Sequence, residues 1–101
     1  MGHKVVLRPG AVADLKSIFV YVAEQAGHDA AVAYDQRLRE ACRKLADFPE
    51  RGTPREALRP GLRSVRFKRR ATIYYVVNAG TVHIVRILAA GRDSRREFGG
   101  G

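Results

Sequence analysis

Apolar residues recur along this chain with two different periods, and the change of period divides it into a helical first half and a β-rich second half. A short β-prone run, Val5-Val6-Leu7, is stopped by Arg8-Pro9-Gly10, where proline lacks a backbone donor and fixes φ. From Ala11 to Ala26 the residues Ala11, Val12, Leu15, Ile18, Phe19, Val22, Ala23 and Ala26 fall on one arc at about 100° per residue. Asp14, Lys16, Ser17, Glu24 and Gln25 fall opposite, so the segment is expected to be an amphipathic helix. Gly27 suits a left-handed C-terminal position and Asp29 is a good N-cap, which predicts a sharp reversal into a second helix. There Ala31, Tyr34, Leu38, Ala41, Leu45 and Phe48 repeat at alternating spacings of three and four until Pro49, the seam of a helix lying along another element.

A turn-rich segment, Phe48 to Gly61, leads into three runs of β-prone residues: Leu62 to Lys68, Ala71 to Val77 and Thr81 to Leu88. Asn78-Ala79-Gly80 is suitable chemistry for a short hairpin between the last two. The expected order is β-α-α-β-β-β, an α+β fold in which a helical hairpin packs on a small antiparallel sheet. Ile73-Tyr74-Tyr75-Val76-Val77 is apolar on both alternating faces, as a central strand covered on two sides requires. The helices cover one face, so the other needs either the tail from Arg92 to Phe98 or a second chain. Val20, Tyr21 and Val32 lie off the helical core arcs and mark a candidate docking surface.

At 101 residues the chain reads as a single domain, 1–101, with a basic tail at 92–101. A hydrophobic fraction of 46% beside 29% charged residues is ordinary globular composition. No apolar run is long enough to span a bilayer and no secretory signal is legible, so a cytoplasmic location without membrane contact is expected. The single cysteine, Cys42, has no partner for a disulfide, and His3, His28 and His83 are too far apart to suggest a metal site. Neither metal nor cofactor is expected.

Charge changes the picture. Cations and acids balance at seven each in residues 1–50, whereas twelve cations face three acids from Arg51 onward and carry the whole formal charge of +9. Such segregation projects a positive field and speeds encounter with anionic macromolecules. Arg63, Arg66, Lys68, Arg69 and Arg70 cluster around the first β-hairpin, and Arg86, Arg92, Arg95 and Arg96 follow near the end. Like charges at this density repel one another unless a partner uses them, so the set reads as a binding surface. Ser17, Ser64, Ser94 and Cys42 show no histidine in a nucleophilic pattern, and most acids fall on polar helix faces where solvation is expected. Nothing in the residue pattern demands an enzyme.

Several short motifs follow one another along the chain: Ala13-Asp14-Leu15 with Ile18 and Tyr21, Leu45 with Phe48-Pro49 and Gly52, Gly61-Leu62-Arg63, Ile73-Tyr74-Tyr75, and Ile87-Leu88 leading to Gly91-Arg92-Asp93. In order and spacing they resemble the ParE branch of the RelE/ParE superfamily of bacterial type II toxin–antitoxin modules. The resemblance implies a toxin that binds and inhibits DNA gyrase without catalysis and forms a hetero-oligomer with a ParD-like antitoxin whose acidic C-terminal segment neutralises it. On that reading, charge and exposed apolar positions lead us to expect target contacts through Arg63, Arg69, Arg70, Arg92, Arg95, Arg96 and Phe98, and antitoxin contacts through Val20, Tyr21, Val32, Arg66 and Arg86. DNA is then touched only through the antitoxin or gyrase. The alternative within the superfamily is a ribosome-dependent mRNA interferase of RelE type. Against it, Thr72 stands where an arginine is expected and Phe98 takes the approximate place of a tyrosine that could transfer a proton. One departure from the ParE pattern is Ala89-Ala90 before Gly91, where many relatives carry histidine. A plain nucleic-acid-binding module is a third reading, weakened by the lack of exposed aromatics among the cations.

Overall fold

Pro9 occupies the first helical position, where its missing N–H loses no hydrogen bond, and it starts helix α1 (Pro9–Ala26) directly after strand β1 (Lys4–Leu7). The computed structural model of the chain describes residues 3–90 and 94–98. Helix α1 ends at Gly27, whose φ of 96° is open to glycine and strained for other residues. The same Gly27 precedes helix α2 (His28–Lys44) and its carbonyl accepts from the Ala31 amide, so the reversal takes one residue. Asp29, expected to be the N-cap, lies inside the first turn instead, where its charge still faces the positive end of the helix dipole.

The remaining elements are β2 (Thr53–Pro54), β3 (Leu62–Phe67), β4 (Ala71–Asn78), β5 (Thr81–Ala89) and a single helical turn, α3 (Ser94–Glu97). They form a five-stranded sheet in the order β1-β5-β4-β3-β2. The expected α+β architecture and its order of major elements hold, with two differences. First, β1 pairs with β5 in parallel, Lys4 beside Thr81 and Leu7 beside Ile84, so the sheet is mixed. Second, the segment read as turns contributes β2, an edge strand of two residues in which Pro54 is tolerated.

Helices α1 and α2 cover one face. Ala11, Leu15, Leu38, Cys42 and Leu45 from the helices meet Phe67, Ala71, Ile73, Tyr75, Val82, Ile84 and Ile87 from the sheet in the main core. The helical stripes are narrower than expected. Val12 is 37% exposed, and α2 stops at Lys44, which leaves Phe48 67% exposed. A seam continued to Phe48 would need a further helical turn, and Leu45 to Asp47 form a looser turn instead.

The opposite face has its own small cluster, Leu62, Tyr74 and Leu88, with Leu58, Val76, Val85 and Phe98 packed around it. Of the two covers expected for this face, the tail contributes through Phe98. A β-bulge makes both faces possible: Tyr75 pairs with Ile84 but Tyr74 pairs with Arg86, so β5 carries one extra residue, Val85.

Candidate functional site

A groove of about 780 Å³ lies between α2 and the outer edge of β3. Ala41, Leu45, Val65, Phe67 and Ile73 give it apolar walls, and Arg37, Arg43, Lys44, Arg51, Arg66 and Lys68 surround them with positive charge. Glu40 is the one acid among the described lining residues, and Arg43 already donates to it at 2.6 Å. Tyr34 and Phe67 meet edge to face at 5.5 Å between ring centres and dock α2 on β3.

The groove lies along an unfinished sheet edge. β2 pairs only with Arg63 and Ser64, and the Arg55 amide donates to Leu62 O at 2.7 Å. Residues 62 and 64 therefore turn their backbone groups toward the β2 side, and by alternation Arg66 does too. Among the described residues no strand pairs with that edge past Ser64.

A second constellation braces the loop before β2. The Tyr75 hydroxyl donates to Pro49 O at 2.8 Å and accepts from the Gly52 amide at 3.0 Å. Arg63 Nη1 donates to Glu50 O at 3.0 Å and Gly52 O at 2.8 Å. Burial raises the Tyr75 pKa, so its hydroxyl keeps the proton it donates. Arg63, a sequence candidate for target contact, is thus half-buried and holds this loop.

The third lies beneath the tail. Arg86 Nε and Nη2 donate to Asp14 Oδ2 and Oδ1 at 2.8 and 2.9 Å, and Glu97 Oε1 lies 3.1 Å from Nη2. The Ile87 amide donates to Asp14 Oδ2 at 2.8 Å. The hydrogen bond to Asp14 is the main reason that the Arg86 pKa is raised. Gly10 makes room for this side chain, since a β-carbon there would lie 2.9 Å from Arg86 Cδ.

The other sequence candidates divide by location. Arg66 stands on the groove, Arg69 and Arg70 are exposed in the turn between β3 and β4, and Arg95 and Arg96 are exposed on α3. Arg92 lies outside the described residues. Phe98 is half-buried, its ring 5.0 Å from that of Tyr74. Val20 and Tyr21 are 54% and 63% exposed on α1, while Val32 is half-buried.

Sequence reasoning missed Arg37, Arg43, Lys44 and Arg51, whose common groove depends on how α2 meets β3. It also treated most acids as solvated, which fails for Asp14 and Glu97. Ala13-Asp14-Leu15 and Gly52 were marked as motif residues without a physical role. Chemically, the second and third constellations brace the fold, and the groove offers apolar walls beside cations. Burial pushes the Cys42 thiol up to about 11, which leaves no appreciable thiolate at neutral pH. Among the described residues no three His, Cys, Asp or Glu side chains gather as a metal site requires, and no helix is long and apolar enough to cross a membrane.

Comparisons with known proteins bear on the family and the fold. A family model described as the ParE toxin of the type II toxin–antitoxin system, parDE, matches residues 5–94. Toxin ParE1 of Mycobacterium tuberculosis (strain ATCC 25618 / H37Rv) is 30% identical over 98 residues, which cover 97% of this chain and 100% of that protein. Toxin ParE3 of Caulobacter vibrioides (strain ATCC 19089 / CIP 103742 / CB 15) is 36% identical over 88 residues, 87% of this chain and 86% of that protein. A solved structure titled as the chromosomal ParDE TA system from P. aeruginosa superposes with a TM-score of 0.76 over 86% of this chain and 95% of that one. At 23% identity that likeness establishes the fold.

Proposed function

The chain belongs to the ParE toxin family of type II toxin–antitoxin systems, and from that premise we propose that it inhibits DNA gyrase by binding and is neutralised by a ParD-like antitoxin. The groove between α2 and β3 is the observation that carries this reading. Apolar walls ringed by six cations beside an open strand edge match an amphipathic, acidic segment. Such a segment would add backbone hydrogen bonds along β3, bury its apolar side chains against Val65 and Phe67, and set carboxylates beside Arg66 and Lys68. The exposed Val20 and Tyr21 offer a second contact on α1. Nucleic acid fits the groove less well, because Phe67, the aromatic residue among its described walls, is buried and offers no exposed stacking platform.

The target surface in this reading is the cationic turn between β3 and β4 together with the tail. Catalysis is left to gyrase, in the cytoplasm, and DNA is met only through gyrase or the antitoxin. An mRNA interferase needs a cation and a proton-transferring group on the sheet. Thr72, paired with Arg66 and Leu88 across the sheet, supplies no charge, and Phe98 has no proton to transfer.

The test is to titrate the purified chain in parallel into a gyrase supercoiling reaction and a ribosome-dependent mRNA cleavage reaction. Supercoiling should be lost while the transcript survives, and the antitoxin encoded beside the toxin should restore supercoiling. Transcript cleavage with supercoiling intact overturns the reading.

A further inference from the structure

Two carboxylates from opposite ends of the chain share the Arg86 guanidinium. Asp14 on α1 holds it through two nitrogens, and Glu97 on α3 lies 3.1 Å from one of the same nitrogens. The Arg86, Asp14 and Glu97 side chains are 24%, 14% and 19% exposed, so all three charges are largely withdrawn from water. The next residue, Phe98, lays its ring against Tyr74 on the sheet face that the helices leave open. Neighbouring residues thus fasten the tail by different forces, a screened ion pair and an aromatic contact. Arg96 and Arg95, one and two residues before Glu97, are exposed.

Glu97 is an acid within a cationic stretch, where it weakens the field that the arginines project. Its position is explained if its charge is used inward. Resting on the reading that the tail meets the target, we infer that Glu97 and Phe98 are positioning residues. They seat α3 on β4 and β5, with the Asp14–Arg86 pair as the fixed base, so that Arg95 and Arg96 meet the target already ordered. A loose tail with the same arginines would lose conformational freedom on binding and hold the target more weakly.

Glu97→Arg separates positioning from charge. The substitution makes the tail more positive, so binding governed by charge number would strengthen. Positioning predicts the reverse, because a second arginine repels Arg86 and unseats the turn. In the full chain, nuclear Overhauser contacts between the Phe98 and Tyr74 rings report seating, and the induction level needed to arrest growth reports potency. Glu97→Gln, which removes the charge without repulsion, is the second variant.

The expected result is loss of the ring contacts in Glu97→Arg with about a tenfold fall in potency. Glu97→Gln should fall between it and the unmodified chain. Antitoxin affinity should stay unchanged in both, while the thermal midpoint should fall a little in Glu97→Gln and further in Glu97→Arg. Ring contacts retained in Glu97→Arg, or lost without a fall in potency, overturn the inference. Gyrase supercoiling measured on the same proteins keeps the two proposals apart: growth arrest that tracks tail seating while supercoiling is untouched removes gyrase as the target and leaves the positioning role standing.

Discussion

Gly52 is buried where a β-carbon would lie 2.5 Å from Tyr75 Oη and 2.9 Å from Ser64 O. The glycine is there for space, since its amide must come within hydrogen-bonding distance of the tyrosine hydroxyl. Gly52→Ala should destabilise the fold by about 1–3 kcal/mol through overpacking. Tyr75→Phe should cost a similar amount, roughly 1–3 kcal/mol, because Pro49 O and the Gly52 amide each lose a buried partner. The double variant should cost less than the sum, since removing the hydroxyl clears the position that the new methyl needs. Urea unfolding of the four proteins measures this, and strict additivity would show that the close approach is not the constraint. The sequence shows Tyr75 as one apolar residue of a central strand. Its hydroxyl partners are 23 and 26 residues away, and no local pattern points to them.

At the scale of elements, the join between α1 and β5 decides how the helical layer meets the sheet. β1 ends at Leu7 beside Ile84, so from Val85 onward no strand among the described residues pairs with β5 on that side. Asp14 reaches down from α1 and accepts the Ile87 amide in place of a neighbouring strand, while its other bonds hold Arg86. Asp14→Ala should therefore destabilise the protein by about 2–4 kcal/mol, since it leaves a mostly buried guanidinium to Glu97 alone and takes the acceptor from a backbone donor. The shift in the chemical denaturation midpoint is the measurement, and a loss under about 0.5 kcal/mol, the level of an ordinary surface substitution, would contradict this account. The helices themselves were legible because their periodicity is local. Asp14 looked solvated because its partner lies 72 residues away on a strand whose bulge sequence does not announce. The end of α2 was misread at Phe48 because the spacing of three and four continues after the helix has stopped.

Across the whole molecule, charge that is segregated along the sequence is redistributed by folding. Arg37, Arg43 and Lys44 come from the balanced first half, where they looked like an ordinary solvated helix face, yet they stand with Arg66 and Lys68 around one groove. The excess charge of the second half was legible from composition. The groove was not, because it exists only where two distant segments lie side by side. If acidic antitoxin side chains meet it, Arg66→Glu combined with Lys68→Glu should weaken antitoxin binding by about 10- to 100-fold and flatten its salt dependence. Both residues are exposed, so thermal stability should change little. Titration calorimetry at two salt concentrations tests this, and unchanged affinity would move the antitoxin elsewhere, with the apolar surface of α1 next in line. The second covering of β4 was half legible: two-sided hydrophobicity demanded a cover, and the contact between Phe98 and Tyr74 supplies part of it.

The parallel pairing of β1 with β5 carries a consequence for synthesis. The strand made first finds its neighbour only when residues 81–84 have left the ribosome, and the helical layer docks on that same late strand. A nascent chain cut short before Thr81 has two helices and a hairpin but nothing to join them to β1. A fragment that ends there keeps the pairing of β2, β3 and β4 and lacks the strand on which both β1 and the helical layer close.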